Sequence, residues 1–443
     1  MRIRLSEHFT YGKLFRFAIP SVIMMMFNSI YGVIDGLFVS NFVGKIPFAA
    51  INLIMPILMI IGGIGFMMGA GGTAIVSKTM GEGNPTLANR YFSLFVYVTF
   101  ALGVIMAAAG ILFLRPLCAL LGATGEMLDC CVRYGKIVVA AMPCFMLQNL
   151  FQSFFIVAEK PKLGLFVSIG AGVTNMFLDA FLILVLPLGL EGAALATSAS
   201  QLVGAAVPVF YFIRKNDSIL KLGKTKFYAK ALFKAASNGS SELMSNISSS
   251  IVTVVFNIQL MKFAAEDGVA AYGVIMYVSF IFIAIFIGYS VGTAPLVGYH
   301  YGANNIGELK NLLRKSTVIS IATGIAMTAF GILFARPFSA IFVGYDAALL
   351  DMTARGLRIF ALSFLLSGFC IFGSSFFTAL NNGPISAAMS FMRTLVYQLL
   401  GVILLPIFFE LDGIWYSMLL AEILAFATTV FFFILKRKQY NYF

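Results

Sequence analysis

The sequence predicts an all-α membrane protein with twelve transmembrane helices, in two six-helix lobes related by a pseudo-two-fold axis along the membrane normal. Three observations support this prediction. Of the 443 residues, 60% are hydrophobic and 11% are charged, whereas soluble domains carry about 25% charged residues. Apolar runs long enough to cross a bilayer follow one another along the chain, and the second half repeats features of the first. This composition excludes a soluble enzyme, a disordered chain and a disulfide scaffold.

Apolar runs bounded by glycine, proline, asparagine or charged clusters predict the individual spans. The first six spans are predicted at 14–42, 48–77, 89–114, 134–158, 162–188 and 191–213. The second six are predicted at 231–261, 268–298, 311–334, 356–380, 384–409 and 413–435. We therefore expect an N-lobe over 1–213, a linker over 214–230 and a C-lobe over 231–443.

Basic residues predict the direction of the spans. An even number of spans puts both termini on one side, and the tails and loops of that side hold 21 of the 30 lysines and arginines. The opposite loops hold eight, and Arg393 lies inside span 11. Because cytoplasmic loops carry the excess of Lys and Arg, both termini and the linker are predicted to be cytoplasmic. The net charge of +12 is then a topological signal rather than a nucleic-acid-binding surface.

Matches at one constant shift of 221 residues predict how the halves are related. The matched pairs are 110–117 with 331–338, 80–84 with 301–305, and 191–192 with 412–413. Because each half holds an even number of spans, both halves enter the membrane from the same side. Such a parallel repeat is typical of secondary transporters, whose substrate sites lie between the halves.

Four acidic residues fall inside the predicted spans: Asp35, Asp179, Glu242 and Glu422. A charged group at the centre of a bilayer costs at least about 2.5–3.5 kcal/mol, so each of them is a functional hypothesis by default. At a rise of 1.5 Å per residue, Asp35 lies ~10 Å and Asp179 ~13 Å below the outer ends of their spans. These two acids are therefore predicted to lie at nearly the same depth in the N-lobe.

Two neutral side chains are predicted at the level of these acids. Asn175 lies one turn from Asp179 on the same helix face, and Thr197 lies ~9 Å below the outer end of span 6. No Lys, Arg or His is expected at this level to neutralise Asp35 and Asp179. Two carboxylates with oxygen donors can hold a hard cation such as Na⁺ or share a proton, and the sequence leaves both alternatives open.

This residue set resembles the N-lobe of the multidrug and toxic compound extrusion (MATE, multi-antimicrobial extrusion) family. The likeness rests on Pro20 fifteen residues before Asp35, on Asn175 and Asp179 in span 5, and on Thr197 in span 6. It extends over the whole chain through the twelve spans and two lobes. The resemblance implies that Asp35, Asn175, Asp179 and Thr197 form a coupling-cation site for H⁺ or Na⁺. It also implies that span 1 bends at Pro20 when the site is protonated.

The same resemblance implies an antiporter that exports amphipathic organic cations by alternating access, without an organic cofactor. If the coupling ion is sodium, the metal ligands are Asp35 and Asp179. We expect a monomer in a bacterial or archaeal cell membrane, in contact with lipids and small-molecule substrates but not with nucleic acid.

The second lobe departs from the pattern of the family. Branches with a span-7 Glu carry it eight residues after a Pro, whereas this chain has Asn238 and, four residues on, Glu242. The span-10 Asp of those branches is absent, because residues 360–380 contain no acid. Glu242 and Glu422 are predicted near the midplane, where they bind substrate cations, relay protons, or remain protonated and hydrogen-bonded. Arg393 either snorkels toward the cytoplasm or pairs with an acid such as Glu242.

Four further side chains are candidates for the substrate cavity. Met24 and Phe27 suit flat cations, because thioethers adapt their shape and aromatic faces attract positive charge, although simple packing is the alternative. Gln148 and Gln152 lie one turn apart on span 4 and either line the cavity or hydrogen-bond between helices.

The alternative function is a lipid-linked oligosaccharide flippase of the same superfamily. Such proteins tend to hold pyrophosphate with several Arg or Lys in the cavity, and this chain offers Arg393 within a span. Segment 288–292 matches the nucleophile elbow of hydrolases, but that motif requires a strand before the serine. Since Ser290 lies inside an apolar helix, we do not expect an enzyme.

Overall fold

The computed structural model describes residues 3–442, except for the side chains of 33, 37, 40, 41 and 45. All regular structure in this part of the chain is helical. The helices are α1 Tyr11–Phe42, α2 Lys45–Gly81, α3 Pro85–Leu120, α4 Gly125–Ala140, α5 Met142–Val157, α6 Pro161–Asp179, α7 Gly189–Ile213, α8 Ala229–Gly302, α9 Ile306–Leu333, α10 Ala335–Val343, α11 Ala347–Ala361, α12 Phe364–Ala379, α13 Gly383–Phe391 and α14 Tyr397–Tyr440. Two π-helical segments, Ala180–Val185 and Met392–Val396, follow α6 and α13.

These helices supply twelve spans between residues 3 and 442. Eight helical stretches are long and apolar enough to cross a membrane, and the bent pairs α4–α5 (52°) and α11–α12 (48°) each add one. The 74-residue helix α8 is a hairpin that turns at Ala265. Its Phe256 and Tyr272 rings stack at 5.0 Å, although 16 residues of straight helix would separate them by about 24 Å. Helix α14 turns similarly at Glu410, so the stretches that contain α8 and α14 each cross the membrane twice. The total is twelve spans, and the predicted fold class is confirmed.

Two spans begin nine residues before their predicted starts. The sequence predicts span 4 at 134–158 and span 10 at 356–380, whereas the structure begins them at Gly125 and Ala347 and bends both. Charged residues near the starts of these helices, Glu126 and Asp129 in α4 and Asp351 and Arg355 in α11, hide the first turns from the hydropathy pattern. Pro143 in the first turn of α5 accounts for the first bend, because proline is accepted at a helix start but disrupts a helix interior.

Residues 3–10 form an N-terminal strap, and we call the side of the molecule where it lies the terminal side. The lobes meet on this side through α2 and α8. An added Cβ at Gly81 would overlap the Tyr299 carbonyl oxygen, and one at Gly302 would overlap the Lys78 carbonyl oxygen. The two pairs are related by the 221-residue shift found in the sequence. The pseudo-two-fold axis therefore passes between α2 and α8.

The N-terminal strap connects the lobes on the terminal side. The Leu5 N–H donates to Glu159 Oε1 of the N-lobe at 2.9 Å. The Phe9 N–H donates to Glu308 Oε1 of the C-lobe at 2.9 Å, and His8 Nδ1 lies 2.6 Å from Oε2 of the same carboxylate. Leu5 and Phe9 are buried. The strap thus bridges the lobes next to their closest backbone contacts.

Replacing Glu308 with glutamine should release the strap from the C-lobe. The carboxylate accepts hydrogen bonds from the strap through both oxygens, whereas an amide keeps one. Losing a hydrogen bond to a charged group costs about 1.5–3 kcal/mol, so hydrogen exchange at the Phe9 amide should quicken about tenfold or more. The control is Glu82→Gln, which alters an exposed ion pair on the same side. Unchanged exchange at Phe9 would contradict this bridging role.

Candidate functional site

Four helices of the N-lobe bring polar side chains to one place. Asp35 of α1 faces the Asp179 carboxyl and the Asn175 amide of α6. Tyr134 of α4 lies beside Thr197 of α7 and close to both carboxyls. The structure therefore brings together Asp35, Asn175, Asp179 and Thr197, which we call the N-lobe acid cluster.

Most oxygens of the N-lobe acid cluster have no hydrogen-bond partner. Asp179 is 0% and Asn175 is 1% exposed. Both carboxyl oxygens of Asp179, Oδ1 of Asp35, Oδ1 of Asn175 and Oγ1 of Thr197 are buried and make no hydrogen bond to any described residue. A buried polar atom left unpaired costs about 1–3 kcal/mol, and more when it is charged. These oxygens therefore suit a ligand that brings positive charge or a proton.

The two carboxyls face each other without a fixed counter-ion. Within residues 3–442, each ion pair that the structure contains involves other acids. Ionised carboxylates only accept hydrogen bonds, so Asp35 and Asp179 cannot both be charged and bonded to each other. The donor set of carboxylate, amide and hydroxyl oxygens fits a hard cation such as Na⁺. No group of three or more acids, His or Cys able to hold a metal occurs in the described chain, so neutral oxygens would complete that site.

Two features of the cluster were not predicted. The π-helical segment Ala180–Val185 begins directly after Asp179, and such segments are frequent at functional sites because they shift the side-chain register. Tyr31 and Tyr134 border the carboxyls. The position of Tyr31 one turn before Asp35 is the sequence signal that could have found it, because residues four apart share a helix face.

The acids of the C-lobe are arranged differently. Arg393 Nη2 lies 2.7 Å and its Nε 2.9 Å from Glu422 Oε1. Arg393 therefore pairs with an acid, as the second alternative predicts, but that acid is Glu422 and not Glu242. Snorkelling is wrong, because the Arg393 side chain is 15% exposed and points to Glu422. Glu242 lies on α8 next to Leu243, whose side chain approaches Gly63 of α2. The two glutamates therefore have different surroundings, and their part in transport stays a prediction.

Comparison with known proteins decides the family. The sequence profile described as MatE matches residues 20–181 and 243–405, one stretch in each lobe. The chain belongs to the MatE family. Solved MatE structures share its fold: an outward-facing conformation of a multidrug resistance MATE family transporter of the MOP superfamily has a TM-score of 0.93 at 21% identity, covering 99% of this chain and 98% of that one. A MATE in the straight conformation has a TM-score of 0.91 at 21% identity, covering 99% and 97%.

Similar proteins also match along most of the sequence. The multidrug export protein MepA of Staphylococcus saprophyticus is 26% identical over 432 residues, covering 95% of this chain and 93% of the relative. MepA of Staphylococcus aureus is 25% identical over 425 residues, covering 92% and 89%. This MatE protein is therefore a membrane transporter and not an enzyme, and its relatives are multidrug export proteins.

In this MatE protein the predicted hinge and cavity residues lie along α1. Pro20 is buried within the continuous helix α1. Met24 is 2% exposed and belongs to the packed interior. Phe27 is half-buried, with its ring centroid 6.0 Å from that of Tyr31. Of this group, Phe27 and Tyr31 therefore lie closest to the acid cluster and retain some exposure.

The predicted glutamines lie inside the N-lobe. Gln152 Oε1 accepts a hydrogen bond of 3.4 Å from Asn28 Nδ2 of α1, which links two helices. Gln148 and Gln152 also line a cavity of about 10 Å³, which is room for about one water molecule. Gln148 Oε1 has no partner among the described residues.

Proposed function

We propose that this MatE protein is an H⁺- or Na⁺-coupled antiporter that exports amphipathic, mostly cationic drugs and toxic organic compounds across the cell membrane by alternating access. One observation carries the proposal: the buried oxygens of the N-lobe acid cluster, including both of Asp179, have no hydrogen-bond partner among the described residues. The names of the relatives support drugs as substrates.

In this proposal the coupling ion supplies what the acid cluster lacks. A proton held between Asp35 and Asp179 would turn one acceptor into a donor and remove one buried charge. A sodium ion would instead take carboxylate oxygens from both, with Asn175 and Thr197 as neutral ligands. Either ion satisfies the oxygens, so both remain candidates.

Helix α1 is the proposed connection between the ion and the lobe interface. It carries Asp35 and Pro20 and packs against α8 of the other lobe, where an added Cβ at Gly292 would come within 3.2 Å of Ala18 Cα. Ion binding changes the charge on α1, which bends near Pro20 and shifts against α8. Since a ligand shifts an equilibrium only by its differential affinity for two states, ion and substrate need only prefer opposite states.

The two lobes are the proposed moving units. The N-lobe (1–213) and C-lobe (231–443) rotate about the linker 214–230, as a monomer, with the terminal side in the cytoplasm of a bacterial or archaeal cell. The excess of Lys and Arg on that side supports this orientation. The terminal side is closed by backbone contacts and by the strap, so the described state would open toward the outside.

The proposed substrate path uses half-buried aromatic and acidic groups. Aromatic faces attract cations, and half-buried Phe27 of α1 would line the N-lobe side of this path. Glu242 makes no ion pair with a described residue, so its carboxyl would be free for a substrate cation or a proton. Pyrophosphate binding by a flippase has no such support, because Glu422 engages Arg393.

Liposomes loaded with ethidium test the proposal. Purified protein should move ethidium against its gradient when a pH or Na⁺ gradient is imposed, and the effective gradient identifies the coupling ion. A K⁺ gradient of equal size is the control for membrane potential. A channel would only equilibrate ethidium, and a flippase would leave it in place. Ethidium movement that ignores both ion gradients would overturn ion coupling.

A further inference from the structure

The C-lobe contains an ion pair buried within its membrane helices. Both contacts of Arg393, from Nη2 at 2.7 Å and from Nε at 2.9 Å, go to Oε1 of Glu422. The Glu422 side chain is 1% exposed, and its Oε2 has no partner in the described structure. Arg393 lies in the π-helical segment Met392–Val396, beside α14. The thiol of Cys370 is the other titratable group next to Glu422, 3.9 Å from its carbonyl oxygen.

This ion pair has no counterpart in the N-lobe. At the 221-residue shift, Arg393 corresponds to Gly172 and Glu422 corresponds to Gln201. Both N-lobe positions are therefore uncharged. Gln201 is itself buried, and its Oε1 has no partner among the described residues. The position shared by Gln201 and Glu422 is therefore polar in both lobes but carries an acid only in the C-lobe.

The N-lobe acids likewise have no counterpart in the C-lobe. At the same shift, Asp35 corresponds to Phe256 and Asp179 corresponds to Leu400. The two lobes thus share the same arrangement of helices but carry their buried ionisable residues at different positions. The N-lobe has two facing carboxyls without a fixed cation, whereas in the C-lobe Glu422 has a fixed cation and Glu242 makes no ion pair with a described residue.

A carboxylate inside a membrane needs a proton, a mobile cation or a fixed cation as its partner. The guanidinium of Arg393 keeps its charge in a protein and is covalently attached, so it cannot leave during a transport cycle. Glu422 therefore has no need of a mobile ion. Because Oε2 is unpaired, removing the guanidinium would leave a complete buried carboxylate without compensation.

We propose that Arg393 is a built-in cation that neutralises Glu422 permanently, so that Glu422 exchanges no coupling ion. Arg393 is thus a positioning residue that sets how many coupling ions move per substrate. This inference rests on the proposed coupling at Asp35 and Asp179. It distinguishes the N-lobe acid cluster, which exchanges the coupling ion, from the Arg393–Glu422 pair, which stays neutralised throughout the transport cycle.

Counting ions per ethidium in liposomes tests this assignment. The ion gradient that just balances a known ethidium gradient gives the number of coupling ions per ethidium. Arg393→Gln leaves Glu422 uncompensated, so it should move one more ion per ethidium than wild type. The double variant Arg393→Gln/Glu422→Gln should return to the wild-type number. Arg355→Gln, which breaks an exposed ion pair with Asp412, is the matched control and should leave the number unchanged.

The double variant keeps the test decisive even if Arg393→Gln does not fold. A wild-type ion number in the double variant supports a permanently neutral pair, whereas a lower number would mean that the pair itself exchanges an ion. A folded Arg393→Gln protein with the wild-type number would also overturn the inference. A failure of the proposed function would give a different result from a failure of this inference alone. Asp35→Asn and Asp179→Asn would then keep ion-driven ethidium flux, and both N-lobe coupling and the role of Arg393 would be contradicted.

Discussion

Exchanging Asp179 for asparagine should lower ion-driven export about 10- to 100-fold, the loss typical of altering the surroundings of an ion site. The amide has nearly the shape of the carboxyl but carries no charge and cannot take up the coupling proton. Asp179 is fully buried, and neither of its oxygens has a described partner. Asparagine therefore removes an uncompensated group, and the melting temperature should stay the same or rise. That combination is expected of a site where function is maintained at the expense of stability.

Two measurements separate this loss from misfolding. Ethidium flux driven by the ion gradient should fall in Asp179→Asn and in Asp35→Asn, whereas ethidium binding to the purified variants should persist. Glu191→Gln is the matched control, because it removes an acid of the same lobe whose side chain is 48% exposed and pairs with Arg133. Wild-type flux in both aspartate variants would refute the coupling site.

The common level of side chains on different spans could be predicted from the sequence. The helical rise is fixed at 1.5 Å per residue, so the spans gave the common level of Asp35, Asp179 and Thr197 before any contact was known. The same arithmetic predicts that Glu242 and Glu422 lie near the midplane. It could not tell which of them faces Arg393, because rotation about the helix axis depends on packing and on the register of the span.

Local irregularities limited the rest of the prediction. A π-helical segment changes the register of the residues that follow it, and the segments beginning at Ala180 and Met392 carry no hydropathy signal. In the sequence Tyr134 resembles an ordinary core residue, because the residues around it give no sign that acids of other spans pack against it. The repeat was more informative, because a single shift of 221 residues predicted the symmetry that Gly81 and Gly302 display at the interface.

Adding one methyl group at Gly71 should hold the lobes apart on the terminal side. Gly71 of α2 crosses α8 so closely that an added Cβ would overlap the Ala235 carbonyl oxygen, and it would come within 2.7 Å of the Gly239 nitrogen. Both are backbone atoms, so no side chain can move aside. Overpacking of this kind costs about 1–3 kcal/mol, and 1.4 kcal/mol is about a tenfold change in an equilibrium. Gly71→Ala should therefore reduce export about tenfold by depopulating the state closed on this side.

The position of the lobes distinguishes this effect from general damage. Spin labels on cysteines at Glu82 and Asn304, one in each lobe on the terminal side, should be farther apart in Gly71→Ala than in the unmodified protein. Gly273→Ala is the control, because an added Cβ there meets no atom within 4 Å. It should leave both export and the label distance unchanged. If Gly71→Ala also kept the original distance and export rate, the crossing of α2 and α8 would not be the contact that closes the terminal side. The closure would then depend chiefly on the strap, whose hydrogen bonds to Glu159 and Glu308 join the same two lobes.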